Sequence, residues 1–194
     1  MIYNDKIIKA LNIAYDIHNY EKDKIDIPYI FHPFKVAESI IEEESQFGGI
    51  KDREALEKCV IIALLHDSIE SLIKRYEPDS YVSIGGGLYR KFDSKEKMIY
   101  YCKKALAIEF GSIVSKAVYT LTRRDDETYD EYIDRVCKDP YAVKVKVHDC
   151  KHNLSVNRMN MINDKCKESL SKRYFKALEK LVKYERLWGY NEFR

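Results

Sequence analysis

Seven Gly and four Pro in 194 residues are too few to punctuate a chain of short strands and tight turns, so the backbone is expected to run mostly as helices. The apolar residues agree. Over residues 3–20, Ile7, Ile8, Leu11, Ile13, Ala14 and Ile17 recur at near-helical spacing. Pro33 suits the first turn of a second helix, with Phe34, Val36, Ala37, Ile40 and Ile41 as its stripe and Gly48-Gly49 as its stop. Asp52 reads as the N-cap of a third, which carries Leu56, Val60, Ala63 and Leu64 on one face, with Cys59 beside them, and runs to about Leu72. Helical patterning resumes over 95–122 and again after a cap at Asp126 or Thr128. It returns from Pro140 to about 157 and over 163–188. The stretch AVKVKVHD (142–149) alternates with period two, as a strand would, but Pro140 before it and CKHNLSVNR after it favour helix. Only YEPDSYVSIGGGLYRKFDSK (76–95) breaks the pattern; its short alternating runs around three glycines predict a small hairpin or flap. With no repeat, low-complexity tract or linker, the expectation is an all-α chain, one helical domain over residues 1–194.

Charge excludes some functions. Basic residues number 34 and acidic residues 32, a net charge of +2, so there is no polyelectrolyte footprint and no nucleic-acid partner is expected. No apolar window reaches transmembrane length, so no membrane partner is expected either. The five Cys (59, 102, 137, 150 and 166) show no CxxC and no pairing rhythm, and there is no secretory h-region at the start; reduced thiols and a cytoplasmic location are expected. The glycines of 85–87 lack the GxxxxGK[ST] pattern, which rejects a P-loop.

The chemistry concentrates in three places. His32 lies in IFHPFKVA at a helix start, His66-Asp67 end the apolar run IALLHD, and His148-Asp149 end another in KVKVHD. A lone His on an apolar face is ordinarily a satisfied core residue. Three apolar segments that each deliver imidazole or carboxylate to the interior need a common explanation, because buried carboxylates require partners. A divalent metal would neutralise two carboxylates and satisfy two imidazoles together. On a helix, Asp149 and Asn153 stack at i and i+4. Arg158 and Lys146 are candidates for phosphate, as are Arg123-Arg124 and Arg90-Lys91.

PYIFHPFKVA, ALLHDSIE and KVKVHDCKHN, in that order, resemble the HD superfamily. More closely they resemble the hydrolase domain of RelA/SpoT-type enzymes and the small stand-alone alarmone hydrolases. The segment LTRRDDETYDEYIDRV is similar to a branch of small bacterial HD phosphohydrolases. The resemblance implies a helical bundle with His32, His66, Asp67 and Asp149 as metal ligands, whereas His148 matches no ligand and makes the second HD dipeptide accidental. It implies Mn²⁺ as the ion, with Mg²⁺ and Fe²⁺ as alternatives, and the two-His, two-Asp donor set is consistent with that choice. It implies Glu70 as the acid that orients or deprotonates the attacking water. Asn153 would contact the nucleotide. The implied substrate is guanosine 3′,5′-bis(diphosphate), cleaved at its 3′-pyrophosphate.

Three positions depart from the family pattern. The second acid of the acidic pair is Ser71, and the small hydroxyl residue three after the Asn is Val156. The basic dipeptide that stacks on guanine aligns with Glu21-Lys22 or Asp23-Lys24, so Lys22 or Lys24 remains and an acid replaces the Arg. Three readings follow: an alarmone pyrophosphohydrolase, an HD nucleotidase or phosphatase of other specificity, and a metal- or nucleotide-binding module whose catalysis has lapsed. A small-molecule nucleotide is the expected partner, with oligomeric state open.

Overall fold

The computed structural model describes residues 5–23, 25–47, 52–78, 81–83, 89–161 and 163–189. Helix α1 (Asp5–His18) packs against α3 (Arg53–Leu65), and α3 in turn against α2 (Phe31–Phe47). Asp52 caps α3 as expected, accepting from the Glu54 amide at 2.9 Å. Gly48-Gly49, the expected stop of α2, lie outside the described residues.

The third helix does not run unbroken to Leu72. It ends at Leu65, His66-Asp67 form a turn, and α4 (Ser68–Arg75) follows. Asp67 has φ −98° and ψ −3°, off the helical path. Burial of Ile69 and Leu72 carries the apolar pattern across this turn, which hides it from a periodicity argument. Gly111, at φ +93°, likewise divides the expected 95–122 helix into α5 (Lys95–Phe110) and α6 (Ser112–Leu121).

Between α4 and α5 stands the expected hairpin, β1 (Tyr81–Ser83) paired antiparallel with β2 (Tyr89–Lys91). The three glycines between its strands lie outside the described residues. Thr128 forms a capping box with Glu131 at the start of α7 (Tyr129–Val136). Asp139 caps α8 (Pro140–Asn153), whose first residue is Pro140, so the ambiguous 142–149 stretch is helical. A short α9 (Val156–Met159) and the long α10 (Asp164–Gly189) complete the all-α bundle.

Helix α8 explains its own strand-like sequence. Every residue from Ala142 to Cys150 is buried, because α2, α3, α6 and α10 surround it. With almost no solvent face, its polar residues are sorted mainly by partner rather than by water. Lys146, Asp149 and Asn153 face one cleft, and Lys144, His148 and Lys151 face α2. Ile62 and Leu65 of α3 are fully buried beside it, each stabilising the fold by roughly 1.5–3 kcal/mol.

Candidate metal centre

Four side chains from three parts of the chain meet where the α3–α4 turn approaches α2 and α8. His32 enters from the first turn of α2, His66 and Asp67 from the turn, and Asp149 from the third turn of α8. His32 Nε2 lies 3.1 Å from Asp149 Oδ1 and 3.6 Å from Asp67 Oδ2. His66 Nε2 lies 3.0 Å from Asp67 Oδ2 and 4.0 Å from Asp149 Oδ1. Donor atoms around one divalent ion with bonds near 2.1 Å sit about 3 Å apart when adjacent and about 4.2 Å apart when opposite. The spacing therefore fits a single ion.

The hydrogen bonds orient the donors for it. His66 Nδ1 donates to the Ala63 carbonyl at 2.7 Å, which leaves Nε2 facing the carboxylates; that atom is buried with no hydrogen-bond partner among the described residues. His32 Nδ1 meets His152 Nδ1 at 2.8 Å. Burial, together with the neighbouring His32 and Arg158, pushes the His152 pKa down to about 4, so His152 is neutral and accepts. Tyr29 donates its hydroxyl to Asp67 Oδ2 at 2.5 Å. Asn153 donates to Asp149 Oδ1 at 2.5 Å and Lys146 Nζ to Asp149 Oδ2 at 2.7 Å.

Electrostatics point the same way. Burial opposes a charge on His66, but the Asp67 and Asp149 carboxylates outweigh it and raise its pKa to about 9. Burial would also raise both carboxylates; His66 and His32 at Asp67, and Lys146 and His32 at Asp149, hold them below the ordinary range instead. Protein groups alone thus draw positive charge into the cluster. The buried His/Asp set can bind a divalent cation, which would supply that charge directly.

His32, Asp67 and Asp149 line a cleft of about 380 Å³, within the range of small-molecule sites. Glu70 lines it and pairs with Lys74 at 2.8 Å. Lys22 lines the rim, bound to Asp26 at 2.8 Å; Lys24 lies outside the described residues. Arg158 lines it too, held by Asp23 at 2.7 Å, so its charge is already shared. Lys146 is likewise committed to Asp149. Arg123 reaches the cleft, whereas Arg90 and Lys91 line a separate groove, with Arg90 stacked on Tyr101 at 4.4 Å. Ser71 does not line the cleft: it is buried and donates to Glu21 Oε2 at 3.0 Å.

No family model matches the sequence, and no curated protein does. Among solved structures, the chain is similar to a metazoan ortholog of SpoT that hydrolyses ppGpp and plays a role in starvation responses. The TM-score is 0.58 at 17% identity, and the alignment covers 99% of this chain and 98% of that one. This chain has the fold of RelA/SpoT-type HD hydrolases. Within that fold the three quoted motifs converge on one cluster, as the geometry above describes.

Three residues around the donors carry no mark in the sequence. Tyr29 was visible as the Tyr of the PY pair and His152 as one of only five His, but nothing local marked either as a partner of a donor. Arg173 of α10 also lines the cleft, its guanidinium carbon 5.0 Å from the centres of both the Tyr129 and Tyr174 rings. Its Nε is buried without a hydrogen-bond partner among the described residues. One Arg among the many basic residues of a long helix carries no sequence signal.

Proposed function

We propose that this chain is a metal-dependent phosphohydrolase of a small nucleotide, with guanosine 3′,5′-bis(diphosphate) as lead substrate and pyrophosphate as product. The observation that carries the reading is the convergence of His32, His66, Asp67 and Asp149 at ligand spacing on the floor of a cleft edged by Arg123, Arg158 and Arg173. The activity of the structurally similar SpoT ortholog supports the choice of substrate. The reading takes residues 1–194 as one catalytic unit working in the cytoplasm.

His32, His66, Asp67 and Asp149 would hold the ion, with Mn²⁺ the best match to two imidazoles and two carboxylates. Such an ion makes bound water acidic enough to ionise near neutral pH and draws charge from a phosphoryl oxygen. The remaining work falls to the chain. Glu70 stands one helical turn beyond the turn residues, pairs with Lys74 and accepts the proton of the attacking water. Tyr29 and Asn153 fix the two carboxylates, so no reorganisation is needed when the substrate arrives. Arg173 and Arg123 face the phosphates, and Arg173 has no internal acceptor for its Nε to give up. Asn153 and Lys22 contact the nucleoside side of the substrate. Ser71, turned toward Glu21, takes no part, so Glu70 serves as the single cleft acid of that pair of positions.

The test is a nucleotide panel with Mn²⁺-loaded protein: tetraphosphate and pentaphosphate alarmones beside guanosine and adenosine mono-, di- and triphosphates. Pyrophosphate release from the alarmones is expected. Phosphate release from monophosphates alone would replace the substrate assignment with a nucleotidase. No release from any of them would sink the enzyme reading in favour of a binding module.

A further inference from the structure

The second HD dipeptide divides its labour. Asp149 faces the metal centre, while the next position back along α8 points toward α2 and α10. There, His148 is 2% exposed, and its Nε2 is buried without a hydrogen-bond partner among the described residues. Glu43 Oε2 of α2 lies 3.5 Å from it. One donor atom each from Glu43, His148 and Glu185 all fall within 4.8 Å of one another.

The tautomer decides what this means. Ser39 Oγ donates its one hydrogen to the Val36 carbonyl at 3.0 Å, so it accepts from His148 Nδ1 at 2.8 Å. With that hydrogen on Nδ1, Nε2 is the ring atom that turns toward two carboxylates. Glu185 Oε1 is also buried without a hydrogen bond, 3.4 Å from Lys144 Nζ. Two acceptors without donors therefore face the same small space. The surrounding charge leaves room for a cation: among the described residues, the carboxylates of Glu43 and Glu185 face the ammonium groups of Lys144 and Lys151. Lys144 holds Glu43 Oε1 at 2.6 Å and Glu44 at 3.2 Å. Lys151, half exposed, touches Glu43 Oε2 at 3.0 Å and is free to swing into water when that oxygen is needed.

The structure assigns a second divalent-cation site to Glu43, His148 and Glu185, a clamp that ties α2, α8 and α10 together behind the metal centre. One imidazole nitrogen and two carboxylate oxygens with an open position suit Zn²⁺. The second anchor of the ring, Ser39, plays the part that a hydrogen-bond acceptor plays behind a ligating His. The site does not depend on the proposed reaction, because its donors do not line the cleft.

The test is Zn²⁺ uptake by equilibrium dialysis of chelator-stripped full-length protein, read beside thermal unfolding. Glu185→Gln is the first variant, since that partly exposed side chain can change without opening a cavity; Glu43→Gln is the second. Wild type is expected to hold about two Zn²⁺ per chain, and each variant about one. Zn²⁺ should raise the Tm of His66→Ala by roughly 5 °C and leave that of His66→Ala/Glu185→Gln unchanged. An ion lost in both glutamine variants but kept in His66→Ala supports the clamp, whatever becomes of the hydrolase reading. Equal uptake by wild type and both glutamine variants overturns it.

Discussion

His32 and His152 meet through their Nδ1 atoms at 2.8 Å, and this contact aims the His32 Nε2 atom at Asp149. Ligation through Nε2 would put the hydrogen of His32 on Nδ1, and burial with the neighbouring His32 and Arg158 holds the His152 pKa down, so that His152 can accept it. Removing such an outer partner of a ligating His costs 10–100-fold in metal affinity. His152→Ala is expected to weaken Mn²⁺ binding by about that factor. His152→Asn, whose amide oxygen can still accept, should recover most of it. Unchanged affinity in His152→Ala would remove His152 from the site.

Glu70 separates proton handling from metal binding. Its carboxylate lines the cleft, and its ion pair is with Lys74 rather than with any of the four donors. Glu70→Gln is expected to lower kcat by roughly 10²–10⁴ while Mn²⁺ affinity stays unchanged. Parallel loss of metal and turnover in calorimetric and kinetic titrations would make Glu70 a ligand instead.

Arg173 should act on substrate affinity. Hydrogen bonds to charged groups contribute about 1.5–3 kcal/mol, so Arg173→Ala is expected to raise KM for a bis(diphosphate) about 10- to 100-fold with a smaller change in kcat. Monophosphates should feel much less of it. An equal effect on both substrate types would argue that Arg173 only packs against Tyr129 and Tyr174.

Much of this was legible in sequence because it rests on local physics. Asp52 and Thr128 announce their helices, and Pro140 outweighs the period-two pattern of AVKVKVHD. The alternation itself was misleading since α8 is enclosed on all sides, and its Lys144 and Lys146 are buried with carboxylate partners. The turn at His66-Asp67 was invisible, for no Gly or Pro marks it and Ile69 continues the buried face. Lys146 and Arg158 read as free phosphate ligands because sequence shows a charge but not its partner. Asp149 and Asp23 turn out to hold them. Tyr29 and His152 lie 38 and 120 residues from the groups they orient, beyond the reach of any spacing rule.

The loop that brings Arg123 to the cleft is fastened by Arg135. Its guanidinium binds both oxygens of Glu127, at 2.9 and 2.5 Å, and the carbonyls of Thr120 and Thr122. Burial would raise the Glu127 pKa, but Arg135 and the Arg124 amide outweigh it and hold it below the ordinary 4.5. A depressed carboxylate contributes stability that is present above its unfolded pKa and lost as pH falls through the folded one. Denaturant titrations should therefore show stability falling below about pH 4.5 in wild type and falling less steeply there in Arg135→Gln. At pH 7, Arg135→Gln should be less stable by roughly 3 kcal/mol. Parallel pH curves for the two proteins would contradict this.

The most direct test of the central claim is pyrophosphate release from guanosine 3′,5′-bis(diphosphate), followed as Mn²⁺ is returned to chelator-stripped protein. No release is expected without the ion, then a rise that saturates near one ion per chain at the centre of His32, His66, Asp67 and Asp149, with no recovery at any Mn²⁺ concentration in Asp149→Asn. Release from the stripped protein, or equal release from Asp149→Asn, would contradict it.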